Sequence, residues 1–82
     1  MHLSALDVSD NELTSLPPEI GNLTNLVLLY LDGNQLSDLP SELANLTSIS
    51  ELFLTDNNLS TLSPELCAVF LEVVFPESLC TP

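Results

Sequence analysis

Apolar positions along this chain return in a fixed order every 23 residues. Leu3, Leu6, Val8, Leu13, Leu16 and Ile20 recur as Leu26, Leu29, Leu31, Leu36, Leu39 and Leu43, and again as Ile49, Leu52, Leu54, Leu59, Leu62 and Leu66. Asn11, Asn34 and Asn57 hold one polar column inside that frame. Three copies without an insertion or deletion exclude chance spacing. They predict a solenoid, in which each coil buries its apolar face against its neighbours and about three coils are the minimum for a continuous core.

Within each copy, residues 5–9, 28–32 and 51–55 alternate as half-buried strands do. Stacked, they make a short parallel sheet with Leu6, Val8, Leu29, Leu31, Leu52 and Leu54 pointing inward. The outward columns then read Ala5, Leu28, Glu51; Asp7, Tyr30, Phe53; Ser9, Asp32, Thr55; and Asp10, Gly33, Asp56. Asn11, Asn34 and Asn57 end the strands as structural residues, their amides satisfying backbone groups of the turn. A proline-bearing step follows each coil's Leu-x-x-Leu: Leu16-Pro17-Pro18, Leu39-Pro40-Ser41 and Leu62-Ser63-Pro64. Proline fixes φ for a turn or a helix start. Glu19, Glu42 and Glu65 lie just past it, where a carboxylate favours the positive end of a short helical segment. Ser63 replaces the first proline of the step, so a looser turn is expected in the third coil.

These columns resemble the leucine-rich repeat family, whose L-x-x-L-x-L-x-x-N-x-L pattern is met in all three copies over roughly residues 3 to 66. The L-P-x-x-I/L step is similar to the 23-residue class common in intracellular signalling and scaffold proteins. The resemblance implies an α/β solenoid with a short parallel sheet on the concave face and turns or short helical segments on the convex face. It divides the chain into repeats at about 3–25, 26–48 and 49–66, with residues 67–82 as an irregular C-terminal tail or makeshift cap. Carried forward by 23, the strand columns fall on Glu72, Phe75 and Glu77, which cannot all be core positions, so the stack is expected to stop after the third coil. Leu3 already lies inside the first repeat, which suggests a fragment of a longer repeat protein or a truncated frame.

Composition narrows the partner. Among 82 residues there are 12 acidic side chains, no lysine and no arginine, a formal net charge of −12. The chain holds no Lys or Arg partner for its carboxylates, so it repels itself. Nucleic acids, anionic lipid and phosphorylated ligands are disfavoured, because they are bound chiefly through Lys and Arg. Basic proteins and metal cations remain, beside the alternative of a merely solvated acidic surface. The start MHLSALDVSD lacks the basic and apolar regions of a signal peptide, and no window reaches the 18 apolar residues of a membrane span. Cytoplasmic and extracellular settings both stay open.

The candidate partner-binding residues are Leu28, Tyr30 and Phe53 within a frame of Asp7, Asp32, Glu51 and Asp56. Rings beside carboxylates suit a partner offering Arg or Lys; alternatively Tyr30 and Phe53 form a cross-strand pair that stabilises their own sheet. Asp7, Asp10, Asp32 and Asp56 are the oxygen groups calcium would use, but no run matches an ordered calcium loop, and no metal site is expected. Cys67 and Cys80 either close a disulfide loop worth roughly 3 kcal/mol or are two reduced, buried thiols. A zinc site is not expected from two cysteines and a distant His2, an incidental terminal residue. Asn22, Asn45 and Asn58 begin N-glycosylation triplets, which favour an extracellular setting unless Asn-Leu-Thr is structural filler. Phosphate loops, serine elbows, metalloprotease helices and catalytic lysines have no counterpart, so neither an enzyme nor a cofactor is expected. The expected function is a protein-interaction module that binds a basic partner through the concave face. The alternative is a spacer segment of a longer receptor or scaffold.

Overall fold

The computed structural model of the chain describes residues 3–80. Four strands, β1 (Ala5–Asp7), β2 (Leu28–Tyr30), β3 (Glu51–Phe53) and β4 (Val74–Phe75), form one sheet in that order. All neighbours pair in parallel, with Leu6 opposite Leu29 and Leu29 opposite Leu52. Short 3-10 helices at Pro18–Asn22, Ser41–Asn45 and Glu77–Leu79, and one α-helix, α1 (Pro64–Phe70), complete the described elements. The 23-residue register of the first three strands follows from their leucine columns, since a slip by one residue would turn every buried side chain to solvent.

The sheet does not stop at the third coil. The last step is one residue shorter than the others, so that Leu52 pairs with Val74 and Phe53 with Phe75. A fixed period places Phe75 in the core column; in the structure Val74 takes that place, 1% exposed, and Phe75 turns outward. In the segment expected to be an irregular tail or a makeshift cap, residues 67–80 are the end of a helix, a strand and a 3-10 turn. Leu79 enters the core and its carbonyl accepts from Leu62 N at 3.0 Å and from Thr61 Oγ1 at 3.1 Å, closing the fourth coil onto the third.

The shortening falls after the convex segments: residues 23–27 and 46–50 link the first two 3-10 helices to the strands that follow, whereas only residues 71–73 link α1 to β4. Pro17 and Pro40 precede the first two 3-10 helices with extended backbone and no side-chain cap, because proline has no side-chain oxygen to offer free helical N–H groups. Ser63 holds the same column in the third coil, and its Oγ accepts from Leu66 N at 3.3 Å with Pro64 next in the chain. The looser turn expected at Ser63 is therefore corrected: serine caps α1, a regular seven-residue α-helix. Glu19, Glu42 and Glu65 do lie in the first turns of their helical pieces.

Small residues let these pieces stack closely. A Cβ on Gly21 would lie 2.5 Å from the carbonyl oxygen of Glu42 in the next coil. Between sheet and helices the core runs the length of the stack: Leu26, Leu29, Leu31, Leu36, Leu43, Leu46 and Leu52 are wholly buried, and Phe70, Val74 and Leu79 extend it. Leu6, Val8, Leu13 and Leu16 of the first coil are only half-buried, although the same columns are buried in the second.

Asparagine ties coil to coil. Asn34 Oδ1 accepts from Leu13 N at 3.1 Å, while its Nδ2 donates to Leu31 O at 2.9 Å and to Val8 O at 3.1 Å. Asn57 repeats the arrangement, accepting from Leu36 N at 3.0 Å and donating to Leu31 O and Leu54 O. Asn11 donates within its own coil, to Val8 O at 2.8 Å and Ser9 O at 3.1 Å.

Candidate functional site

The concave face is built by alternation. Leu29 and Leu52 point inward, so Leu28, Tyr30, Glu51 and Phe53 stand on the outer side of the sheet, each half-buried. Parallel register sets Asp7 beside Tyr30, Tyr30 beside Phe53, and Leu28 beside Glu51. Tyr30 and Phe53 stack with centroids 4.9 Å apart and planes 2° from parallel. Phe75 continues the stack, 5.2 Å from Phe53 at 16°. A ring ladder thus runs across three strands, with a carboxylate in its column on the fourth.

Phe75 was hidden from a strict 23-residue count. Its signal lies in a dipeptide, an inward aliphatic followed by an outward aromatic: Leu29-Tyr30, Leu52-Phe53 and Val74-Phe75. Aligning on that pair, with one residue removed from the last coil, places both β4 residues correctly.

The remaining acidic residues of the frame follow the strands. Asp32 and Asp56 lie past the ends of their strands, in the descent to the asparagine turn. Asp10, Gly33 and Asp56 share a left-handed backbone, with φ of 56°, 73° and 57°. Aspartate tolerates that region better than most residues, which accounts for Asp10 and Asp56 without a ligand. Gly33 also fits against Asp10, whose Oδ1 a Cβ there would strike. Among the described residues no group of three or more His, Cys, Asp or Glu side chains is placed to hold a metal ion. His2 lies outside the described residues.

Asp7 differs from the other carboxylates. Its Oδ1 accepts from Ser9 N at 3.0 Å and from Ser9 Oγ at 2.5 Å. These bonds, the hydroxyl first and the amide second, hold its carboxyl below the ordinary value of 3.8. The anion is fixed in place at the end of the ring column while exposed to water.

Cys67, at the centre of α1, and Cys80, after the last 3-10 turn, are joined as a disulfide with Cα atoms 5.4 Å apart. Asn22 and Asn45 end the first two 3-10 helices with exposed side chains, and Asn58 is exposed beside the third asparagine turn.

The leucine rich repeat family model matches residues 1–59, which hold the first three strands and both asparagine bridges. The chain belongs to the leucine-rich repeat family. Among solved structures this leucine-rich repeat chain is similar to a leucine-rich repeat protein of Leptospira interrogans, at 42% identity and a TM-score of 0.68. That match covers 78% of this chain and 16% of the solved one. Leucine-rich repeat membership places the chain, in general terms, among protein-interaction modules. Helix α1, β4 and the disulfide lie beyond the matched repeats. No helix among the described residues is long and apolar enough to cross a membrane.

Proposed function

We propose that this leucine-rich repeat chain binds a protein partner rich in basic side chains through its concave face, and that its role is binding without catalysis. The observation that carries the reading is the ladder of Tyr30, Phe53 and Phe75 flanked by Asp7, Leu28 and Glu51 in a chain that contains no lysine or arginine. Aromatic rings supply rigid contact area at low entropic cost, and carboxylates beside them select cations. Asp32 and Asp56 form the outer rim, where charge steers approach more than it holds a complex.

The ladder also stabilises its own sheet, so affinity and stability must be read separately. The experiment is a titration of a short acetylated peptide of alternating arginine and serine into the wild-type chain and into Tyr30→Leu and Phe53→Leu, with melts of each protein. The reading requires affinity to fall about tenfold or more in variants that remain folded at the temperature of the titration, a loss of roughly 1.4 kcal/mol. Unchanged affinity beside a lowered melting temperature would leave the rings a purely structural role and these coils a spacer.

A further inference from the structure

We propose that Asp7 and Tyr30 form a seat for one guanidinium group, making a partner arginine, rather than any cation, the residue this face selects. The proposal rests on the binding role above and assigns it a specificity-determining position.

Tyr30 has two ring faces, and Phe53 covers one at 4.9 Å with nearly parallel planes. That distance matches the ~4.8 Å between neighbouring strands, so the rings stack across the sheet. The other face of Tyr30 is therefore turned toward β1, where its register partner is Asp7. Aspartate is short and tyrosine is long. The carboxylate makes a floor, the upper part of the ring makes a wall, and the space above Asp7 is open to solvent.

The floor is set for a donor. Ser9 occupies Oδ1 twice, and Oδ2 accepts from none of the described residues. A guanidinium is flat enough to lie on a ring face while its edge N–H groups reach a carboxylate beside that ring, whereas an ammonium is compact and strongly hydrated. The rest of the ladder offers no second seat. Phe53 is covered on both faces, by Tyr30 and Phe75. Phe75 lies on the last strand of the sheet, with no carboxylate in its column beyond it among the described residues. Glu51 pairs with Leu28 in the neighbouring column. The chain has no arginine or lysine of its own to fill the seat.

The test compares three short acetylated peptides alternating serine with arginine, lysine or citrulline, titrated into the 82-residue chain and followed through the Tyr30 ring protons by NMR. The arginine peptide should bind about tenfold tighter than the lysine and citrulline peptides and shift the Tyr30 ring resonances. Asp7→Asn, nearly isosteric at an exposed position, should erase the preference for arginine over lysine, whereas Glu51→Gln should leave it. Equal binding of the arginine and lysine peptides to the wild-type chain overturns the seat but leaves the proposed binding role standing. A preference for arginine that survives Asp7→Asn also overturns it. Absence of binding by every cationic peptide overturns both the seat and the binding role.

Discussion

Phe75 stacks on Phe53 with ring centroids 5.2 Å apart, although the two residues are separated by one position fewer than every equivalent pair in the earlier coils. Continuity of the ring column has been kept where continuity of the period has not. A contact of this kind adds about 0.5–1.5 kcal/mol beyond area burial. Phe75→Ala should therefore destabilise the chain by about 1–3 kcal/mol, as a half-buried ring removed from a strand end. A double-mutant cycle with Phe53→Ala, read by denaturant unfolding, should return a coupling near 1 kcal/mol. A coupling near zero would mean that β4 does not hold its place in the sheet through this ring.

Asn34 and Asn11 occupy the same column and should respond differently. Asn34 is 6% exposed and bridges to Leu13 N and Val8 O of the preceding coil, whereas exposed Asn11 donates to Val8 O and Ser9 O of its own coil. Asn34→Ala strands buried backbone groups and should cost about 2–4 kcal/mol; Asn11→Ala should cost about 1 kcal/mol or less. Urea unfolding of the two variants in parallel checks the order, and equal losses would refute the bridging account.

The disulfide fastens the fourth coil. Cys67 and Cys80 are separated by 13 positions, and closing a loop of that size stabilises by roughly 3 kcal/mol in the chain-entropy model. Thiol titration of the oxidised protein should find no free cysteine. The Cys67→Ala, Cys80→Ala double variant should lose stability by about that amount, with hydrogen exchange quickening first at residues 74–80. Uniform quickening across the first three coils would show that the bond supports the whole stack instead.

Charge sets two further expectations. A net charge of −12 with no Lys or Arg partner is repulsive, and salt screens it over about 8 to 10 Å at moderate ionic strength. Relief of even 1 kcal/mol would raise the melting temperature of a chain this size by about 4–8 °C, so melting temperature should climb with added sodium chloride. Asp7 acts at lower pH. Its folded carboxyl sits below the unfolded value of 3.8, so its contribution to stability is present above that pH and is lost as pH falls through the lower folded value. Asp7→Asn should flatten the part of the stability profile below about pH 4 that this carboxyl produces, and an unaltered profile would remove the Ser9 hydrogen bonds as its cause.

Most of the fold was legible because leucine columns at a fixed spacing admit one arrangement. Leu6, Leu29 and Leu52 must share a face, and that sets strand register, the concave columns and the asparagine turns together. The fourth strand was illegible to the same count for a local reason. The link from α1 to β4 is only residues 71–73, against 23–27 and 46–50 in the earlier coils, and the strand register comes one residue early. That single step exchanged the faces of Val74 and Phe75. At the site, sequence placed Asp7, Tyr30 and Phe53 in one column but could not show that Ser9 fixes the Asp7 carboxylate, since a hydrogen bond across two positions depends on the backbone bend after the strand. Asp10 and Asp56 offered oxygens but no ordered calcium loop in the sequence; their left-handed backbone gives them a conformational reason to be there.

The proposed binding surface is the concave face. Its most direct test is a backbone amide NMR map of the chain titrated with the arginine and serine peptide. Shifts are expected to centre on residues 7, 28, 30, 51, 53 and 75 and to diminish as salt is raised. Shifts centred on the convex segments 18–22 and 41–45, or a diffuse response that follows every carboxylate equally, would contradict it.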